Sequence, residues 1–129
     1  DILLLSAGGH GAEEGLPYWP LVEALRPLLG AIDWATLDIE PALLTEVARL
    51  LPGLRTLLLD LPPPAVVEPG QEQVCLFRSL SDLLLRLAAS RPLLLLCLDD
   101  LQWVDASTLS WLGYLGRRLR NAPLLVVGA

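Results

Sequence analysis

Three short blocks of apolar residues are spread along the chain, and each is uniformly apolar instead of alternating with polar positions. They read ILLL near the start, LLLLCL at residues 93–98 and LLVV near the end. Uniform runs of this length are typical of strands that are buried on both faces of a parallel sheet. We therefore predict three parallel strands with helices on both faces, a three-layer α/β arrangement.

The stretches between the blocks have helical spacing. The clearest predicted helix covers residues 73–90 and ends at the sequence SRP, because a residue before proline avoids the helical conformation. Its apolar face is predicted to consist of Leu76, Phe77, Leu80, Leu83, Leu84, Leu87 and Ala88. Another helix is predicted after the second block, with Asp105 as its N-cap and arginines in its last turn.

A helical insert is predicted between the first strand and the long helix. One helix is expected within residues 17–32, with Gly30 as its stop signal, and a second over residues 41–51, ended by Pro52 and Gly53. The first of these would bury Val22, Leu25, Leu28 and Leu29 on one face. The proline-rich residues 54–73 are expected to form an irregular surface connection, with room for a helical turn at its start. Strands that alternate with helices in this way predict a parallel sheet with right-handed crossovers.

Composition and charge narrow the classes of function. Hydrophobic residues make up 53% of the chain, but its longest apolar runs are far shorter than the roughly 20 residues that span a bilayer, so we expect no membrane contact. The formal net charge is −6 and all nine basic residues are arginines, which argues against direct nucleic-acid binding by this segment. Cys75 and Cys97 have no metal-binding spacing and are expected to be buried free thiols, which suits a reducing cytosol.

Two adjacent carboxylates follow the second predicted strand. Asp99 and Asp100 come directly after LLLLCL, and ligands of parallel α/β sheets bind at the carboxyl ends of the strands. One carboxylate suits Mg²⁺, which favours one or two carboxylates plus substrate phosphates, and its neighbour suits the orientation or activation of an attacking water. This is the Walker B pattern. The alternative is that Asp99 caps a turn and Asp100 is solvated.

The other polar residues of the chain give weaker indications of a functional site. Asp105 is expected to be an N-cap and not a ligand, and the spacing assigns no role to Gln102 or Trp103. His10 is the only histidine and is expected to have a polar role in a loop, so no histidine cluster for metal or nucleophilic chemistry exists. No serine lies in a GxSxG turn, which removes the commonest hydrolase interpretation.

The chain contains no phosphate-binding loop of the GxxxxGK[ST] type. Its only glycine cluster, AGGHGAEEG at residues 7–15, lacks the required spacing, and the chain has no lysine. Glu13 and Glu14 would also repel a phosphate. The sequence therefore offers the carboxylates of a nucleotide site without the groups that grip the phosphates.

Three stretches together give the chain a family resemblance. LPYWPLVEALRPLL at residues 16–29, the segment 76–119 around the aspartates, and APLLVVGA at residues 122–129 resemble the nucleotide-binding module of STAND-type P-loop ATPases. These are the AAA-like modules of large LuxR-type transcriptional regulators and of some multidomain cyclases and kinases.

The resemblance has consequences for the fold. It implies that residues 1–129 are part of an AAA/STAND ATPase domain, with the Walker B segment at 93–100 and the sensor 1 strand at 123–128. The strands would be strands 2, 3 and 4 of a P-loop NTPase sheet ordered 5-1-4-3-2. The Walker A strand and loop would lie upstream of this chain and pair with the open edge of the LLVVG strand.

The resemblance also assigns roles. Asp99 would be the magnesium-associated residue and Asp100 the catalytic, water-orienting acid; Gln102 stands where relatives often have histidine. The cofactors would be ATP and Mg²⁺. The chain would then be an internal segment of an ATP-dependent signalling switch in a cytoplasmic multidomain regulator. Its partners would be ATP, the remainder of its own ATPase domain and downstream effector domains.

Two alternatives remain beside the signalling switch. The chain could be a non-catalytic scaffold derived from a degenerate ATPase, which the absence of GxxxxGK[ST] upstream would favour. A magnesium-dependent phosphatase-like site would need a DxD-type loop after the first strand, and none is present. In isolation, the segment is expected neither to bind ATP tightly nor to hydrolyse it, and to be prone to aggregation.

Overall fold

The computed structural model describes residues 2–8, 17–34, 37–99, 105–119 and 122–128. Within these ranges the chain forms three strands and six helices. In order they are β1 (Ile2–Gly8), α1 (Trp19–Leu25), α2 (Leu28–Ala31), α3 (Pro41–Val47), α4 (Gly53–Leu57), α5 (Glu72–Ala89), β2 (Leu93–Asp99), α6 (Ala106–Arg118) and β3 (Leu124–Gly128). Among the described residues, no helix is long and apolar enough to cross a membrane.

The three strands form one parallel sheet in the order β1-β2-β3, with β2 in the centre. Leu4 is in register with Leu95, and Leu96 is in register with Val126. Both connections therefore step across the sheet in the same direction. Right-handed crossovers that step in one direction place their helices on the same face of the sheet. The predicted α/β parallel class is confirmed.

One face of the sheet is covered by helices and contributes to the core. Its side chains are Leu5, Ala7, Leu94, Leu96, Leu98 and Leu124, all buried. Helix α1 contacts β1, while α5 contacts β2 and β3. Helix α6 packs in turn on α1 and α5. The core therefore lies between this face and the helices.

The opposite face of the sheet is not covered by any of the described residues. We call it the open face; its residues are mostly apolar, and they are Ile2, Leu4, Ser6, Leu93, Leu95, Cys97, Leu125 and Val127. The edge strands leave Ile2 61% and Leu4 58% exposed on one side and Leu125 51% and Val127 44% exposed on the other. The described residues form two layers, so the predicted third layer is not confirmed. The reason is the crossover direction, since the uniform leucine content of the strands does not reveal which face the connections cover.

The long helices match the sequence prediction closely. Helix α5 spans Glu72–Ala89, and every residue predicted for its apolar face is buried. Helix α6 begins directly after Asp105, which is its N-cap, and ends with Arg117 and Arg118. Both helices have a strong amphipathic pattern and an unambiguous stop or start signal, which explains the agreement.

The helical insert departs from prediction. The prediction of a single helix within residues 17–32 is wrong, because α1 ends at Leu25 and a separate α2 follows Pro27. Proline has no N–H to continue the helical hydrogen bonds, so the helix ends there. Gly30 lies inside α2 instead of ending it.

The second helix of the insert is shorter than predicted. Helix α3 ends at Val47, turns follow, and Pro52 is the N-cap of the short α4. The expectation of a helical turn followed by an irregular connection is confirmed, since residues 58–71 contain no helix or strand. The Thr45 hydroxyl lies 3.0 Å from the carbonyl oxygens of both Pro41 and Pro62 and so ties this connection to α3.

Candidate functional site at the carboxyl edge of the sheet

The carboxyl edge of the sheet presents one acidic side chain at the end of the central strand. Asp99 is the exposed last residue of β2. It is in register with Gly8 of β1. Since glycine has no side chain, β1 places none directly beside the carboxylate. Asp99 is therefore open to a ligand that approaches this edge from the side of β1.

Strand alternation also fixes the side of the sheet on which Asp99 lies. Successive side chains of a strand point to opposite faces, and Asp99 is two residues from Cys97 and four from Leu95. The predicted magnesium ligand thus shares the side of the open face and not that of the covered face. A ligand held by Asp99 would lie where this side of the sheet meets its carboxyl edge.

Several residues singled out by the sequence lie outside the described residues. They are Asp100, Gln102 and Trp103 after β2, and His10, Glu13 and Glu14 after β1. The role predicted for Asp100 therefore stays a prediction. Of the two predicted acids, only Asp99 is placed.

The next acid along the chain has a different environment. The Asp105 carboxylate accepts three hydrogen bonds, from the N–H of Thr108 at 3.0 Å, the hydroxyl of Thr108 at 2.7 Å and the N–H of Tyr18 at 2.9 Å. The first two bonds form the N-cap of α6, which confirms the predicted role. The third bond reaches the residue that immediately precedes α1, and the sequence analysis did not anticipate it.

Tyr18 is the N-cap residue of α1 and has an unusual backbone conformation. Its φ of 62° and ψ of 13° are left-handed, and it is the only non-glycine residue with positive φ in the described ranges. This conformation costs a residue with a Cβ about 1–2 kcal/mol. The Tyr18 ring is held edge-on to Phe77 of α5, with 6.3 Å between the ring centroids. Sequence analysis missed Tyr18, since no spacing signal connects residues 87 positions apart.

The aromatic contacts continue into α6. Phe77 also contacts Tyr114, with 5.7 Å between the two ring centroids. The Arg118 guanidinium carbon lies 5.7 Å from the centroid of the Tyr114 ring, and the guanidinium donates a hydrogen bond to Asp82 of α5. Burial by itself lowers the pKa of Arg118, but the hydrogen bond and charge attraction of Asp82, with a smaller contribution from Tyr114, leave that pKa raised. Arg118 therefore stays a cation, and this cluster fixes α5 against α6.

The donor set at the edge fits part of a magnesium site. Within the described ranges, no group of three or more His, Cys, Asp or Glu residues is arranged to hold a metal ion. Mg²⁺ differs from most protein-bound metals, because it commonly uses only one or two carboxylates and takes its other ligands from water and phosphate. A single open carboxylate at a strand end suits that chemistry and does not suit a metal centre built from protein ligands alone.

Several cavities lie elsewhere among the described residues. One of about 610 Å³ is lined by the end of the proline-rich connection, Val66 and Glu68 among its residues. One of about 480 Å³ lies between α3, the proline-rich connection and α5, with Thr45, Pro62 and Cys75 in its wall. Another of about 430 Å³ is lined by Trp34, Leu44 and Leu58, among others. Both cysteines are free, as predicted, but Cys75 and Cys97 are only half-buried, so the expectation of full burial is wrong. Their partial exposure follows from their positions, since Cys75 lies beside a cavity and Cys97 lies on the open face.

Comparison with known proteins identifies the domain family. A family model described as AAA ATPase domain matches residues 2–127, which covers β1, β2 and all of β3 except Gly128 and includes Asp99 and Asp105. Comparisons with curated proteins and with solved structures gave no match.

Proposed function

Since the chain belongs to the AAA ATPase domain family, we propose that it supplies the carboxylate half of an ATP and Mg²⁺ site. The observation that carries this proposal is the position of Asp99, exposed at the carboxyl end of the central strand and in register with Gly8 of β1. Bound Mg²⁺ would neutralise charge that develops on the phosphates of ATP during transfer to water. Asp99, in the Walker B position, would hold the ion directly or through water.

In this proposal the residue after Asp99 completes the acidic pair. Asp100 would orient or activate the water that attacks the terminal phosphate, because a second carboxylate beside the metal ligand is suited to accept a proton. Support for this role comes from the sequence position of Asp100 directly after β2 and from the family membership.

The phosphate-gripping half would come from outside this chain. The chain has no lysine and no GxxxxGK[ST] segment, so it cannot supply a P-loop of the usual type. We propose that the remainder of the ATPase domain packs on the open face and along the free edge of β3. Strands β1, β2 and β3 would then be strands 2, 3 and 4 of the 5-1-4-3-2 sheet. Two features support this arrangement: the open face is mostly apolar, and Asp99 lies on the same side.

We further propose that the domain acts as the nucleotide switch of a cytoplasmic STAND-type regulator, as in LuxR-type proteins. ATP binding and hydrolysis would change the conformation that the module presents to downstream effector domains. Support for this finer assignment is the sequence resemblance of residues 16–29, 76–119 and 122–129.

The test is Mg²⁺-dependent ATP binding by the intact protein that contains this chain. We expect Asp99→Asn to weaken the affinity for Mg·ATP by about tenfold or more, because the amide removes the charge that attracts the ion. Asp60→Asn is the matched control, since Asp60 is an exposed carboxylate on the proline-rich connection and should leave the affinity unchanged.

Three other results would contradict the proposal. An intact protein that does not bind Mg·ATP would be a scaffold that has kept the fold without the nucleotide. Equal affinity of wild type and Asp99→Asn would exclude Asp99 as the magnesium-associated residue. Tight ATP binding by the isolated 129 residues would show that the site does not depend on a phosphate-gripping segment from outside.

A further inference from the structure

The cavity between α3 and α5 contains a buried hydroxyl without a partner. Ser79 of α5 lines this cavity of about 480 Å³ and is only 8% exposed. The other buried polar side chains that the structure describes, those of Thr45, Ser81 and Thr108, all form hydrogen bonds. The Ser79 hydroxyl forms none with any described residue. Since nearly all buried polar groups are bonded, this hydroxyl is available to a molecule that enters the cavity.

The same wall carries a guanidinium that has no carboxylate partner. Arg78 lines the cavity beside Ser79, and its Nη2 lies 4.0 Å from the sulfur of Cys75, which lines the cavity too. Within the described ranges, no carboxylate forms an ion pair with Arg78. A guanidinium has parallel N–H donors that match the two oxygens of a carboxylate. The α5 wall therefore offers a charged donor next to a neutral one.

Three acids also line the cavity, but two of them already have basic partners. Glu46 forms an ion pair with Arg49 at 3.1 Å, and Asp82 accepts a hydrogen bond from Arg118. The third acid, Glu40, is exposed at the start of α3, where water and salt screen its charge. These acids therefore repel an anionic ligand less than their number suggests.

The remaining walls of the cavity are aliphatic. They consist of Ala42, Leu43, Pro62, Pro63, Ala65 and Val67. Small-molecule sites are typically cavities of about 300–1,000 Å³ with mostly apolar walls and a few polar groups that fix the orientation of the ligand. This cavity has that size and that distribution of groups, and it suits a ligand with an aliphatic body and one anionic end.

We propose that the cavity between α3 and α5 binds a small aliphatic carboxylate. The carboxylate of the ligand pairs with the Arg78 guanidinium and accepts a hydrogen bond from the Ser79 hydroxyl. Its hydrocarbon body lies against the aliphatic walls, with Pro62 and Val67 on the side of the proline-rich connection. The proposal does not depend on the ATP and Mg²⁺ site, since Asp99 does not line this cavity.

The first test is isothermal titration calorimetry of the intact protein with octanoate, and with octanamide as the neutral molecule of the same length. We expect octanoate to bind with a Kd of about 1 mM or lower, which is within reach of a ligand of this size. Octanamide should bind at least about tenfold more weakly, because it cannot form the charged pair. Octanoate that does not bind, or octanamide that binds equally well, would overturn the proposal.

Two variants and a matched control test the polar contacts. We expect Arg78→Gln to weaken octanoate binding by about tenfold and Ser79→Ala by about threefold, since a charged hydrogen bond is stronger than a neutral one. Arg78 is exposed, so its replacement should leave the fold intact. Arg117→Gln removes the same charge from an exposed position on α6 that does not line the cavity, and should not alter the affinity. Equal affinity of Arg78→Gln and Arg117→Gln would contradict the proposed pairing.

The two cysteines report where the ligand binds. Cys75 lines the cavity and Cys97 lies on the open face, so alkylation of each by iodoacetamide, followed by peptide mass spectrometry, compares the two places in one sample. At an octanoate concentration of ten times the Kd, about a tenth of the protein is free of ligand. Alkylation of Cys75 should then slow by about tenfold while that of Cys97 is unchanged. An unchanged rate at Cys75, or equal slowing at both cysteines, would overturn the placement of the ligand in this cavity.

Discussion

At the scale of single residues, a buried tryptophan joins the two long helices. Trp111 of α6 is fully buried, and its indole Nε1–H donates to the hydroxyl oxygen of Ser81 on α5 at 3.2 Å. Ser81 is also fully buried, so water cannot replace it as a partner. The helical spacing of α5 places polar Ser81 among leucines, and the indole N–H explains why a hydroxyl is tolerated there.

We expect Ser81→Ala to lower the free energy of unfolding by about 1–3 kcal/mol, because it leaves the Trp111 N–H buried without a partner. The double variant Ser81→Ala with Trp111→Phe should lose less than the sum of the two single changes, since it removes both polar groups. Urea denaturation of the four proteins measures the difference. Ser110→Ala, on the exposed side of α6, is the control and should change stability little. A stability of Ser81→Ala equal to that of this control would show that the bond contributes nothing.

At the scale of elements, α5 is the helix on which the other elements assemble. It contacts β2 and β3 on the covered face of the sheet, and it also contacts α3 and α6. Its buried stripe runs the length of the helix, from Leu76 to Ala88. Substitutions of these buried residues should therefore lower the stability of the whole fold and not disturb one contact alone.

The matched pair Leu87→Ala and Val74→Ala tests this within one helix. Leu87 is fully buried, so its truncation should cost about 2–5 kcal/mol through lost burial and a residual cavity. Val74 is 45% exposed in the first turn, and its truncation should change stability by no more than about 0.5 kcal/mol. Thermal unfolding followed by circular dichroism distinguishes the two. Equal losses of stability in the two variants would mean that the buried face of α5 does not determine the stability of the fold.

The elements also show how much of the structure can be predicted from the sequence alone. The apolar runs predict β2 and β3, and the helical spacing predicts α5 to within one residue at each end, because these signals are local. The prediction is wrong for the insert at Pro27, because the apolar spacing continues past the point where the helix ends. At the candidate site, Asp99 follows from the strand that precedes it. The contact between Asp105 and Tyr18 does not, since it depends on tertiary placement and on a left-handed backbone.

At the scale of the whole molecule, the sheet has one face in the core and one face without a cover among the described residues. Exposed apolar patches and free strand edges are both sites at which chains associate. Ile2 and Leu4 on one side and Leu125 and Val127 on the other combine the two features. The isolated chain should therefore self-associate through this surface.

Replacement of Leu4, Leu125 and Val127 by threonine should convert the isolated chain to a monomer, because threonine is β-branched, which strands favour, and removes apolar surface. Sedimentation velocity of wild type and variant measures the change. Leu109→Thr is the control: Leu109 is 49% exposed on α6, away from the sheet, and its replacement should not alter association. A monomeric wild-type chain, or a triple variant that associates as strongly as wild type, would show that the open face is not responsible.

The two unlike faces of the sheet also give the leucines of β2 two different environments. Leu94, Leu96 and Leu98 are removed from water by helices of the same chain, α5 among them. Leu93 and Leu95, which alternate with them, are only partly buried. Neighbouring leucines that look interchangeable in the run LLLLCL therefore differ in what a polar substitution should cost, since one set is sealed in the core and the other still meets water.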